Sequence, residues 1–284
     1  MKKISCTLLI ICAACAQNSK LDVLGELPKE LKETSACDFL NGKIWTTEDH
    51  GNAAKIYAID RSGQLKHTLT ISGVHNNDWE ELSSDEAGNI YIGDFGNNDN
   101  ERRDLTIFKI DAGQLGKEET RISAKTTFSY PDQKDFPPKK SQRIFDCESF
   151  FVSGDYFYLF SKNRSSSFDG TTILYRVPNK PGNFEAEKIS EFKTCGNYNR
   201  CAVTGADISP NGKKVALLTS DKVFLFEDFK SDDFFSGKSH EIALDHFSQK
   251  EGIGFASDDE LLITDEKDKK TGGNLYSLDL KAKP

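Results

Sequence analysis

One short pattern recurs five times along this chain and limits what the chain can fold into. In its fullest copy, Asn77-Asp78-Trp79-Glu80-Glu81-Leu82 leads from carboxylates into an apolar run, a Gly88-Asn89 turn follows, and Ile90-Tyr91-Ile92-Gly93-Asp94 ends on another carboxylate. Two apolar runs joined by a Gly/Asn turn read as an antiparallel hairpin. The first copy runs from Ser35-Ala36-Cys37-Asp38 through the Asn41-Gly42 turn to Ile44-Trp45-Thr46-Thr47-Glu48. Others open at Asp146-Cys147-Glu148-Ser149-Phe150, at Thr204-Gly205-Ala206-Asp207-Ile208 and at Lys250-Glu251-Gly252-Ile253.

Aligned on Cys37, Leu82, Phe150, Ile208 and Ile253, the copies are 45, 68, 58 and 45 residues apart. In each, a second strand starts seven or eight residues later, at Ile44, Ile90, Phe157, Val215 and Leu261. Two more strand-like runs follow in the first four copies, for instance 55–60 and 65–71, 172–177 and 184–192, while the fifth supplies only 275–280. A four-strand period of about 40–50 residues describes the blade of a β-propeller. The run 21–27 can complete the fifth blade, which predicts an all-β, five-bladed ring closed by its N-terminal strand. A six-bladed ring is the alternative, and it needs a blade that the repeat does not supply. Twenty Phe, eight Tyr, 21 Gly and a single Met suit strands and turns.

The first residues read as a processing signal. Lys2 and Lys3 precede the apolar run 4–14, which is too short to span a bilayer as a helix. It closes on Cys12-Ala13-Ala14-Cys15, which resembles a bacterial lipoprotein box with Cys12 in the place usually held by Leu. That resemblance implies residues 1–14 as a lipoprotein signal peptide, a lipidated Cys15, a tether over 15–20 and one propeller domain over 21–284. The protein would then sit in the bacterial cell envelope, held to a membrane by its acyl chains. Secretion with cleavage after Ala14 or Ala16 is the alternative. In an oxidising compartment, Cys195 and Cys201 flanking a turn-forming loop predict a local disulfide, whereas Cys37 and Cys147 read as buried small hydrophobes. With 37 basic against 45 acidic side chains the net charge is −8, which argues against nucleic acid as a partner.

Propeller geometry turns the alignment into a site. The first strand of a blade is innermost and the second runs antiparallel beside it, so the start of the first and the end of the second share one channel mouth. Glu80, Glu148 and Glu251 hold equivalent starts, and Glu48, Asp94 and Asp265 hold equivalent ends. Carboxylates gathered this way repel one another, and a hard cation such as Ca²⁺, which takes about six to eight oxygen ligands, would offset that. These six residues are the candidate metal ligands. Asp78, Glu81, Asp207, Lys162 and Arg164 stand close by as candidate ligand-binding residues. Taken singly, each carboxylate also fits a turn cap or a solvated charge, and Lys162, Arg164, Arg200, Arg102 and Arg103 could neutralise the ring as salt bridges without metal. Five scattered histidines include one, His50, at a second-strand end. The chain carries no Gly-x-Ser-x-Gly, no His-Glu-x-x-His and no phosphate-cradling Gly loop.

Trp45-Thr46-Thr47-Glu48, Asp78-Trp79-Glu80-Glu81, Tyr91-Ile92-Gly93-Asp94-Phe95-Gly96-Asn97-Asn98 and Thr204-Gly205-Ala206-Asp207 together resemble bacterial β-propeller lipoproteins with Asp-Trp-Glu-Asp motifs. Glu251-Gly252-Ile253 and Asp265-Glu266 are similar to phytase-like and SdiA-regulated propeller proteins. The resemblance covers nearly the whole mature chain and implies the fold. It implies two functional expectations. One is a module that binds an unidentified ligand or envelope component at an acidic, Ca²⁺-holding mouth. The other is a metal-dependent phosphoesterase or lactonase in which Arg102, Arg143, Lys162 and Arg164 clamp an anion.

Overall fold

In a computed structural model that describes residues 21–269 and 271–281, the chain forms five sheets set around a channel, each with four antiparallel strands at its centre. The lipoprotein box, Cys15 and the tether lie outside the described residues. Each sheet is one blade, and each starts with its innermost strand: Asp38–Leu40, Trp79–Ser84, Asp146–Ser153, Gly205–Ile208 and Lys250–Ser257. Neighbouring inner strands touch in sequence order, and the fifth touches the first, so the ring is closed. It has five blades and not six.

Closure comes from the N-terminus. Leu21–Glu26 pairs antiparallel with Asn274–Asp279, from Leu21 opposite Leu278 to Glu26 opposite Asn274, and so provides the fourth strand of the fifth blade. Pairing this edge also removes an open row of N–H and C=O groups. Two short strands went unread in the sequence. Glu119–Arg121 pairs parallel to Leu65–Ser72, and Gly182–Glu185 pairs parallel to Ala124–Ser129, so the first and second blades each carry a fifth strand taken from a later loop. Arg121 and Ala124–Ser129 therefore belong to different blades, and the segment expected as one strand over 184–192 divides between the second and third.

Alternation along each strand places apolar side chains in the seams between blades. The seam of the first two blades holds Trp45, Trp79, Leu82, Ile92 and Phe108, and the next holds Tyr91, Phe95, Phe150 and Phe157. Trp79 is fully buried there, so it packs the seam rather than facing a ligand. Cys37 and Cys147 are buried free thiols, and Cys195 and Cys201 form a disulfide (Cα–Cα 5.5 Å) around a short helical turn, Tyr198–Cys201.

The fourth blade corrects the sequence alignment. Leu82, Phe150 and Ile253 pair with Ile92, Leu159 and Ile263, which lie two residues before Asp94, Ser161 and Asp265, the partners of Trp79, Cys147 and Lys250. The fourth-blade residue in that place is Ala206, opposite Leu217, and not Ile208. The cause is a longer turn at Pro210–Lys213, closed by the Ser209 N–H on the Lys214 carbonyl at 2.8 Å. Thr204 therefore stands where the second, third and fifth blades carry glutamate.

Candidate functional site

The mouth at which the inner strands begin, called upper here, owes its shape to three β-bulges. Trp79 pairs with Asp94 and Glu81 with Gly93, which leaves Glu80 as the extra residue. The same shift isolates Glu148 between Cys147 and Ser149, and Glu251 between Lys250 and Gly252. A bulge re-aims the side chain of its extra residue, and here it does so in three blades at matched positions. Asp78 joins them: a Cβ added to Gly96 would fall on both Glu80 Oε1 and Asp78 Oδ2, so the two carboxylates crowd one glycine.

Burial holds Glu80 and Glu251 well above the ordinary carboxylate range. Neighbouring carboxylates add to the rise, Glu148 and Asp78 for the former, Glu148 and Glu266 for the latter, while Lys162 pulls Glu251 the other way. Asp78 is pushed up to about 7, first by burial and then by Asp49 and Asp146, and Glu266 to about 8, by burial and then by Asp49 and Glu148.

Glu148 sits in a different setting. Its Oε2 takes Lys162 Nζ and its Oε1 takes Arg164 Nη2. Arg164 also binds Asp146 through Nε and donates from Nη1 to the Tyr198 hydroxyl at 2.8 Å, while Asp146 accepts the N–H groups of Asn97 (2.7 Å) and Cys147 (2.9 Å). Lys162 and Arg164 thus neutralise one side of the mouth as buried salt bridges.

Glu48, Asp94 and Asp265 do not join this group. Each is buried and bonded to an element further out in its own blade. Glu48 accepts from the Tyr57 hydroxyl (3.2 Å), and Asp265 from the Tyr276 hydroxyl and the Asn274 N–H (both 2.8 Å). Asp94 accepts from Arg102 Nη2 (2.9 Å), Asn77 Nδ2 (2.9 Å) and the Asp78 N–H (3.2 Å). Glu81 and Asp207 lie elsewhere too, further down the channel. Among the described residues, three ligating side chains come within 4.8 Å of one another at Asp49, His50 and Asp78, and no three of the six candidate metal ligands do so.

A cavity of about 440 Å³ opens beside the salt-bridged side, lined by Lys162, Arg164, Tyr198, Phe247, Glu251 and Glu266. Phe247 is 57% exposed at its rim, a large apolar surface left to solvent next to two carboxyl groups. Tyr198 and Phe247 were missed by sequence reasoning because both come from outer loops that differ from blade to blade.

No family model matches this chain, and no curated protein matches it. What the structure itself provides is the propeller, and β-propellers in general serve as ligand- or partner-binding scaffolds.

The raised carboxyl groups fix the pH behaviour. A carboxyl whose pKa is higher folded than unfolded binds its proton more tightly in the native state, so stability is present at low pH and lost as pH rises through the folded value. Asp38 at about 6, Asp78 at about 7, and Asp207 and Glu266 at about 8 titrate above the unfolded carboxylate range. His246, lowered by burial and then by Lys250, works in the opposite sense. In metal-free buffer the melting temperature is therefore expected to rise as pH is lowered from 8 to 5.5, by several degrees in a thermal scan. A flat or falling profile would mean these groups are ionised in the native state.

Proposed function

We propose that this chain is a ligand- or partner-binding propeller of the bacterial cell envelope, lipid-anchored at Cys15, with the acidic upper mouth as its site. One observation carries the reading: Glu80, Glu148 and Glu251 from three blades reach one mouth through matched bulges, with Asp78 and Glu266 beside them. Like charges held this close favour a positively charged occupant. A ligand with a cationic group and an apolar flank suits the 440 Å³ cavity, its charge toward Glu251 and Glu266 and its flank on Phe247. Calcium, the simplest such occupant, suits the other side of the mouth, where Asp49, His50 and Asp78 bring ligating atoms within 4.8 Å of one another, Glu80 lies beside Asp78, and no Lys or Arg forms an ion pair with these carboxylates among the described residues.

Phosphoester or lactone hydrolysis is the competing reading. The guanidinium and ammonium groups that would clamp an anion are already paired: Arg102 with Asp94 and Asp104, Arg143 with Asp99, Lys162 with Glu148, and Arg164 with Asp146 and Glu148. That favours binding over turnover.

Calorimetry with CaCl₂ on protein lacking residues 1–15 tests the calcium component. Saturable heat and a higher melting temperature are expected, with affinity at least tenfold weaker in Glu80→Gln/Asp78→Asn. Unchanged affinity in that variant removes calcium from the mouth.

A further inference from the structure

At the upper mouth a loop of the first blade is clamped against the entry to the second. Asn76 makes the join: its Nδ2 donates to the carbonyl oxygens of Glu48 (2.8 Å) and Asp49 (3.0 Å), while its Oδ1 accepts the Trp79 N–H (2.9 Å). Asn52 closes the loop from the other side, donating from Nδ2 to the Asp49 carbonyl (3.1 Å) and to Glu33 (2.8 Å). So held, Asp49 and His50 stand against Asp78, and one ligating atom of each lies within 4.8 Å of those of the other two. Asp78 is fixed in turn by its own N–H, which donates to Asp94 Oδ1 (3.2 Å).

A fourth side chain is directed at the same place. Glu80 is only 7% exposed, yet its carboxyl group has no hydrogen bond and no ion pair among the described residues. Its Oε1 and Asp78 Oδ2 converge on the point that a Cβ of Gly96 would fill, so the bare glycine leaves the room in which they meet. Buried carboxylates in proteins are paired or coordinate metals, because an unpartnered one is costly. A cavity of about 300 Å³, lined by His50, Asp78, Gly96 and Asn97, opens onto this group. Arg102 also lines it, but its guanidinium is taken by Asp94 and Asp104.

We propose that His50 sets the metal preference of the upper mouth: one of its ring nitrogens joins Asp49, Asp78 and Glu80 around a first-row transition ion of the zinc class, which the site holds in preference to calcium. This rests on the reading of the mouth as a cation site and names the cation. Calcium is a hard ion that takes oxygen ligands and gains little from an imidazole. Zinc binds imidazole and carboxylate together, and at mixed nitrogen and oxygen sites it lies above manganese in affinity. Calcium is then the weaker occupant, and loss of the imidazole would leave an all-oxygen set that suits it as well as before.

Equilibrium dialysis of EDTA-stripped protein against ZnCl₂, with CaCl₂ and MnCl₂ arms, tests this. The expected result is one zinc ion held at least tenfold more tightly than calcium, with manganese between them. His50→Asn should weaken zinc at least tenfold and leave calcium binding unchanged, a split that a merely structural role for His50 would not produce. His50 is exposed, so the metal-free variant should melt with the metal-free wild type. Glu80→Gln/Asp78→Asn should weaken both ions. Zinc bound no more tightly than calcium, or equally by His50→Asn and the wild type, overturns the proposal and leaves a cation site at the mouth. Failure of the mouth reading would appear differently: neither ion would bind, or both would bind Glu80→Gln/Asp78→Asn as they bind the wild type, and the proposal would fall with it.

Discussion

Replacing Arg164 with Met is expected to cost about 3–5 kcal/mol of folding stability, because it breaks a buried ion pair from one side only. Arg164 is the shared partner of Asp146, which is fully buried, and of Glu148, which is 5% exposed. Lys162 would still reach Glu148, but Asp146 would keep only the N–H groups of Asn97 and Cys147. Urea unfolding followed by tryptophan fluorescence reads the change as a lower midpoint at unchanged slope. Adding Asp146→Asn to Arg164→Met should recover part of the loss, since it removes the stranded charge. A loss below about 1 kcal/mol in the single variant would place this cluster with exposed pairs instead.

A methyl group at Gly254 should be nearly as damaging, at about 3 kcal/mol, the upper end for overpacking a tight interior. The added Cβ would collide with the carbonyl oxygen of Cys37 on the neighbouring inner strand, and backbone cannot swing aside as a side chain can. Gly252 is tight for the same reason, with the Ala36 carbonyl oxygen 2.7 Å from its would-be Cβ. These two glycines let the last inner strand close against the first, so Gly254→Ala attacks ring closure. Gly113→Ala is the matched control, with nothing within 4 Å of the added carbon and an expected change within about 0.5 kcal/mol. Equal melting temperatures for the two variants would show that the seam can relax.

The architecture was legible because hairpins announce themselves through turn residues and alternation, and because the closing strand at 21–26 fills the one gap in the repeat. Glu80, Glu148 and Glu251 were legible as a set because they share a register, although the bulges that aim them were not. Strand ends carried no such information. Whether Glu48, Asp94 or Asp265 faces the channel depends on Tyr57, Arg102 and Tyr276, which belong to the next part of each blade and have no fixed spacing. Neighbours in one acidic run also part company. A bulge changes the parity of the strand, so Glu80 points to the mouth while Glu81 bonds toward the first blade below it. Asp207 was misplaced through the longer fourth-blade turn, which no count of residues between apolar runs reveals.

If the proposed lipid anchor at Cys15 holds, the closing strand also decides which way up the protein would stand. Leu21 lies opposite Leu278 near the lower rim, and the strand climbs to Glu26 beside Asn274 at the upper one. A lipid on Cys15 would be joined to Leu21 by a leash of at most about 20 Å. The lower rim, with Asp38 and Asp207 around its opening, would then face the bilayer, and the acidic mouth would look outward, away from lipid headgroups and toward whatever arrives from solution.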